Sequence, residues 1–252
     1  MLIGVAGMVG SGKSTLARAL AARFGLQLAL ESADEDNPWL ESYYGEADGR
    51  SRFALPLQLH FLATRFASMR LMRAHGGSWI LDRTWYEDAE VFAAGLVEQG
   101  YVTAVEYDLY ARLYAELLHS PSARPPRLLI YLHAPLAEIV QRIHLRGRPK
   151  EREMDVGYWA GLHSRYAQWI DGFRHCPVLR LDVRDYDLVS DAGAIEDVAA
   201  LLRQRLEREL PQTELWPAIG RRHADAFPLA AATTTFRADA SRSSEHRPDP
   251  GS

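Results

Sequence analysis

Apolar positions follow two rhythms along this chain. Leu2–Ala6, Leu26–Leu30, Trp79–Leu81, Leu128–His133 and Val178–Asp182 are short, nearly unbroken apolar runs, the pattern of strands buried on both faces. Between them, apolar residues recur at three- and four-residue spacing over Ser14–Phe24, Phe53–Arg73, Glu87–Leu96, Val102–His119, Leu136–Leu145, Val156–Phe173 and Ala194–Glu209, which predicts helices. Gly25 stops the first helix, Gly76-Gly77 ends the long one, and Pro121, Pro125 and Pro126 break the chain before the fourth strand. Five strands separated by helices predict an α/β fold around a parallel sheet, occupying residues 1–210. From 211 to 252 the periodicity stops and Ala, Pro, Ser, Thr and Gly dominate, so this stretch is expected to be a disordered or loosely docked tail.

Composition narrows the classes. The 252 residues are 47% hydrophobic and 25% charged, ordinary for a globular chain. The formal charge of −4 offers no global basic footprint, so no nucleic-acid partner is expected. Cys176 is the single cysteine, which excludes an intramolecular disulfide. No apolar run approaches the ~20 residues of a membrane span, and the apolar start lacks a basic n-region, so the expectation is a cytoplasmic protein without a membrane partner.

The chemistry begins at Gly7-Met8-Val9-Gly10-Ser11-Gly12-Lys13-Ser14, which satisfies G-x-x-x-x-G-K-[ST] and is followed by Thr15. Gly7, Gly10 and Gly12 let consecutive backbone N–H groups curl around phosphate oxygens. Lys13 reaches the β- and γ-phosphates, and the Ser14 hydroxyl can ligate Mg²⁺. The motif lies between a predicted strand and a predicted helix whose N-terminus favours an anion, so it predicts a nucleoside triphosphate site.

Two further strands end in a carboxylate. Trp79-Ile80-Leu81-Asp82 places Asp82 where a phosphate-loop protein can hold Mg²⁺, though a strand-end Asp also makes ordinary turns. Arg83 follows at once, and a guanidinium there can stabilise charge on a transferred phosphoryl group or hold the acceptor. Leu28-Ala29-Leu30-Glu31 makes Glu31 a candidate general base, with an acid at a loop edge as the plain alternative. Arg142, Arg146 and Arg148 surround Gly147, with Glu151 close behind. This reads either as a lid over the triphosphate, about 142–153, or as a solvated charge run. Gln58 and Arg65 share one stripe of the long helix with Phe61 and Leu62 between them, fitting a pocket for a flat heterocycle or a half-buried helix surface.

Taken in order, these segments resemble the deoxyribonucleoside kinase family, especially its bacterial deoxyadenosine/deoxycytidine kinase branch, over about Leu2–Glu209. The markers beyond the phosphate loop are Asn37-Pro38-Trp39-Leu40 with Tyr43-Tyr44, Leu57-Gln58-Leu59-His60-Phe61-Leu62-Ala63 with Arg65-Phe66, and Asp82-Arg83-Thr84-Trp85-Tyr86-Glu87-Asp88. Arg146-Gly147-Arg148 with Glu151, then Asp185-Tyr186-Asp187-Leu188, complete the series. The resemblance implies a P-loop kinase sandwich with a five-stranded parallel sheet of order 2-3-1-4-5, a homodimer, and transfer of the γ-phosphoryl of ATP to the 5′-hydroxyl of a deoxyribonucleoside. It further implies Glu31 as base, Asp82 and Ser14 at Mg²⁺, and Arg83 at the acceptor. Gln58, Arg65 and Asp88 would meet the base edge, Tyr44 and Glu151 the 3′-hydroxyl, the Arg142–Arg148 segment would form the lid, and Asp185 and Tyr186 would lie by the adenine of ATP. A Gln amide presents a donor beside an acceptor, matching the edge of adenine or cytosine. The resemblance makes deoxyadenosine the leading expected substrate, with deoxycytidine besides it. The competing readings are a deoxyguanosine kinase, a nucleoside-monophosphate or small-metabolite kinase, and a nucleotide-gated ATPase switch acting on a protein partner.

Overall fold

The computed structural model describes residues 1–30, 37–148, 151 and 154–209. Glu31, residues 149–150 and 152–153 of the expected lid, and the tail from 211 lie outside them. The strands are β1 (Leu2–Gly7), β2 (Gln27–Ala29), β3 (Trp79–Asp82), β4 (Leu128–His133) and β5 (Val178–Asp182). They form one sheet in the order β2-β3-β1-β4-β5, and every neighbouring pair is parallel. Ile3, Val5, Ile80, Leu128, Leu129 and Ile130 are fully buried in this sheet, which explains the unbroken apolar runs.

The helices are α1 (Lys13–Phe24), α2 (Leu40–Gly45), α3 (Gly49–His75), α4, α5 (Ala104–Leu118), α6 (Leu136–Arg146), α7 (Val156–Gly172) and α8 (Ala192–Glu209). Three consecutive stretches make up α4: Trp85–Glu87, the π-helical Asp88–Ala93, and Ala94–Glu98. Gly25 caps α1 in the left-handed conformation, its N–H donating to the Ala21 carbonyl, as its position in the sequence suggests.

Two elements depart from the periodicity. α2 is too short to show a pattern. Its Leu40 and Tyr43 are buried in a small second core with Ala54, Leu57, Leu96 and Val102. α3 begins at Gly49 rather than near Phe53, because its first turn is set by contact with α2. A Cβ on Gly49 would stand 2.1 Å from the Ser42 carbonyl oxygen. Among the described residues, no helix is long and apolar enough to cross a membrane.

Candidate active site

The carboxyl ends of β1 and β3 lie side by side, with Val5 in register with Asp82. Two functional segments 75 residues apart are thereby brought together, one leaving each strand. In an open parallel sheet this crevice is where ligands bind.

The loop after β1 is closed by Ser11 N–H donating to the Met8 carbonyl at 3.1 Å. Gly7 has φ +142°, and a Cβ there would stand 2.4 Å from the Leu132 carbonyl oxygen, so the strand can turn into the loop only without a side chain. Gly12, at φ +93°, is the N-cap of α1. Gly10 lies against Ile143 of α6, and Ser11 is fully buried. Lys13 is buried and donates from Nζ to the Met8 carbonyl at 3.1 Å, folded along the loop that it would share with a triphosphate. Ser14 and Thr15 are exposed at the mouth of α1. Backbone N–H groups, the helix N-terminus and an ammonium converge here, a combination suited to a polyphosphate.

Ser14 Oγ donates to Asp82 Oδ2 at 2.5 Å, while Asp82 Oδ1 is buried without a hydrogen-bond partner. That orphaned carboxylate oxygen beside a hydroxyl fits a hard divalent cation. Among the described residues no group of three or more His, Cys, Asp and Glu could hold a metal. A cation here would therefore draw its other oxygens from phosphate and water, as Mg²⁺ commonly does.

Arg83 continues the β1–β3 pairing, its N–H donating to the Val5 carbonyl at 2.9 Å, and then turns out of the sheet. Its φ of +70° is the single positive value at a non-glycine among the described residues. Strained positions of this kind persist where the surroundings over-determine them. Its guanidinium lies 4.5 Å over the Phe92 ring.

Gln58 and Arg65 of α3 are both buried, as is Asp88 at the first π-helical position of α4. Arg65 Nε donates to Asp88 Oδ2 at 2.7 Å, a nearly dry ion pair. Gln58 Oε1 is buried with no hydrogen-bond partner. Arg65 and Asp88 are therefore brought together from two elements, while Gln58 lies two turns along α3 from Arg65. Insertion of π-turns is common where a helix must aim a functional side chain.

Tyr44 is 37% exposed on α2, edge-on to Tyr43 at 4.8 Å between ring centres. Glu151 is held by Arg146 of its own segment, with Arg148 4.0 Å away. Arg142 donates to the Val183 carbonyl at 3.2 Å, tying α6 to the loop after β5. That loop carries Asp185 and Tyr186, and its Leu188 lies 3.4 Å from where a Cβ on Gly12 would stand. α6, through Ile143 at Gly10, and the Asp185–Leu188 loop, through Leu188 at Gly12, thus flank the phosphate loop.

Three residues to which the sequence assigns no role also stand out. Tyr43 is buried, which pushes its phenol up to about 12. Arg50, the second residue of α3, donates to Met154 Sδ at 3.6 Å. Glu87 is fully buried and its carboxyl is pushed above the usual range by that burial, against the opposing pull of Arg83 and Lys13. It accepts from Gly7 N–H, Thr84 N–H and the Tyr166 hydroxyl. Thr84-x-x-Glu87 is a capping-box string, a local signal that could have drawn attention to it.

A parallel sheet, a phosphate loop opening a helix and an Asp-Arg pair at the adjacent strand end define a P-loop kinase. The sequence profile described as "Deoxynucleoside kinase" matches residues 3–207, and the chain belongs to that family. It is 41% identical over 197 residues to the deoxyadenosine/deoxycytidine kinase of Bacillus subtilis (strain 168), covering 78% of this chain and 89% of that one. It is 32% identical to the deoxyadenosine kinase of Dictyostelium discoideum, covering 73% of each. Identity to the deoxyguanosine kinase of Lactobacillus acidophilus is 30%, covering 82% and 91%. The solved deoxyadenosine kinase from M. mycoides with bound dCTP superposes with a TM-score of 0.67 at 24% identity, covering 81% of this chain and all of that one, and shares its fold. The protein is a deoxynucleoside kinase.

Proposed function

We propose that this enzyme transfers the γ-phosphoryl of ATP to the 5′-hydroxyl of deoxyadenosine, and also of deoxycytidine, in nucleotide salvage. The observation that carries the choice of base is the buried Gln58, whose Oε1 lacks a partner, on the same stripe of α3 as the Arg65 that pairs with Asp88. An amide oxygen there accepts from an exocyclic amine while its NH₂ donates to a ring nitrogen, a pairing that the Watson–Crick edges of adenine and cytosine present; guanine has a ring N–H beside its amine and thymine has no amine. The similarity to the Bacillus subtilis deoxyadenosine/deoxycytidine kinase supports the same choice.

In this reading Lys13 and the loop from Gly7 to Thr15 hold the donor phosphates, while Arg142, Arg146 and Arg148 close over them and exclude water. Asp182 ends β5, and the Asp185-Tyr186 turn that follows lies by the adenine of ATP. Ser14 and Asp82 would hold Mg²⁺, which supplies charge neutralisation between the phosphates. Arg83 orients the acceptor oxygen and meets the charge developing on the transferred group. Glu31 takes the 5′-hydroxyl proton, and Tyr44 with Glu151 binds the 3′-hydroxyl, favouring deoxyribose over ribose. Residues 1–210 act as one catalytic domain, in the cytoplasm, with neither nucleic acid nor membrane as a partner. A homodimer is supported by α5, where Val105, Leu109 and Leu113 form an exposed apolar stripe.

The test is release of ADP from Mg·ATP with deoxyadenosine, deoxycytidine, deoxyguanosine, thymidine, adenosine and deoxyadenosine 5′-monophosphate as acceptors. Strong turnover with deoxyadenosine, weaker turnover with deoxycytidine and little with thymidine or the monophosphate is the expected result. Preference for deoxyguanosine, the substrate in the name of the Lactobacillus acidophilus relative, would overturn the base assignment.

A further inference from the structure

The β1–β3 ladder ends where Arg83 N–H donates to the Val5 carbonyl. Beyond that bond the strands part to open the crevice, leaving two buried backbone donors. Gly7 N–H gives to Glu87 Oε1 at 3.2 Å, and Thr84 N–H gives to Glu87 Oε2 at 2.9 Å. Each oxygen takes a second donor: Tyr166 Oη at 3.0 Å on Oε1, and Thr84 Oγ1 at 3.3 Å on Oε2. One fully buried carboxyl group thus replaces the ladder at the point of divergence. Buried N–H groups rarely go without such a partner.

Both segments that meet on it carry unusual backbone. Gly7, at φ +142°, begins the phosphate loop, and Thr84 follows Arg83, at φ +70°. Lys13 and Arg83 both feel the Glu87 charge. We propose that Glu87 is a positioning residue: it clamps the phosphate loop at Gly7 to the Asp82-Arg83-Thr84 turn, so that the donor cradle and the acceptor-side arginine keep one fixed separation. Each half can still bind its own ligand without the clamp. What the clamp sets is the alignment between them, and misplacement of reacting groups by about 1 Å lowers turnover on the order of a hundredfold.

Glu87→Gln is the informative change because an amide has one oxygen. Whichever way it is turned, its NH₂ faces either Gly7 N–H or Thr84 N–H, and one arm of the clamp is lost. With the full-length protein, Mg·ATP and the deoxynucleoside that the wild type phosphorylates best, kcat is expected to fall about thirtyfold or more. The KM values for Mg·ATP and for the nucleoside are each expected to stay within about threefold. A folded variant with near-normal kcat overturns the clamp, as does one in which both KM values rise while kcat holds.

If Glu87→Gln does not fold, Tyr166→Phe decides the matter. It removes one donor to Oε1 and leaves both backbone donors in place. Hydrogen exchange is then expected to quicken at the Gly7 and Thr84 amides by the same factor, since one carboxyl group holds both. Unequal change, or none, overturns the proposal. The inference rests on the kinase reading but fails separately from it. A wild type without nucleoside-dependent turnover removes the reading, whereas an active wild type matched by Glu87→Gln removes the clamp alone.

Discussion

At the scale of the residue, the most informative atoms are those left without partners. A buried amide oxygen with no donor costs about 1–3 kcal/mol of stability, and a chain keeps such an atom where a ligand satisfies it. Gln58 is in that position. Gln58→Leu is therefore expected to hold or raise the melting temperature of the ligand-free protein while raising KM for the deoxynucleoside about tenfold. Thermal denaturation and steady-state kinetics check the two halves separately, and a fall in stability would show that the amide serves the core. Cys176 offers a test of burial. Its thiol is pushed up to about 12 by desolvation, so at pH 8 almost none is thiolate. Reaction with Ellman's reagent is expected to be slow in the native protein and fast after denaturation. The sign for stability follows: the unfolded chain ionises this thiol near pH 9 and the folded chain near 12, so its contribution is full below pH 9 and is lost as pH rises towards 12. A Cys176→Ser variant should lose less stability than the wild type over that interval, as urea titrations would show.

Elements were legible in the sequence where their own residues decide them, and less so where neighbours do. The five strands and the helix after the phosphate loop are strongly patterned, and the structure has them within a residue or two. The start of α3 is different, because Asp48 to Arg52 is polar and carries no helical stripe. The helix starts there because Gly49 packs directly on the Ser42 carbonyl. Helix propensity alone says that Gly49→Ala gains up to ~1 kcal/mol. The 2.1 Å approach reverses the sign, and a loss of about 1–3 kcal/mol is expected in a urea titration. A gain would show that α2 yields without strain. The π-helical stretch of α4 was invisible for a related reason. Asp88–Ala93 has ordinary helical composition, and the wider turn is visible only where the Arg65–Asp88 pair on one side and Glu90 on another are both satisfied. Glu90 accepts from Trp169 Nε1 at 2.8 Å and from the Tyr114 hydroxyl at 3.2 Å, contacts supplied by α7 and α5.

For the whole molecule, the exposed stripe on α5 sets the expectation for assembly. Val105, Leu109 and Leu113 are 81%, 64% and 43% exposed and lie one turn apart on one face. Sedimentation is expected to show a dimer for the wild type and a monomer for Leu109→Glu, with the fold intact by circular dichroism; an unchanged dimer would place the interface elsewhere. The sequence by itself determined the class of the molecule: strands and helices in alternation, a phosphate loop, and an Asp-Arg pair at a strand end. Each of those is written in contiguous residues, so local periodicity and spacing suffice. The tertiary structure decided which contiguous pieces face one another. It put Asp82 against Ser14, Asp88 against Arg65, and Glu87 against Gly7, a pair 80 residues apart. The physical reason is that a parallel sheet aligns the ends of strands distant in sequence, so hydrogen bonds across the crevice depend on register and burial, which no local pattern records.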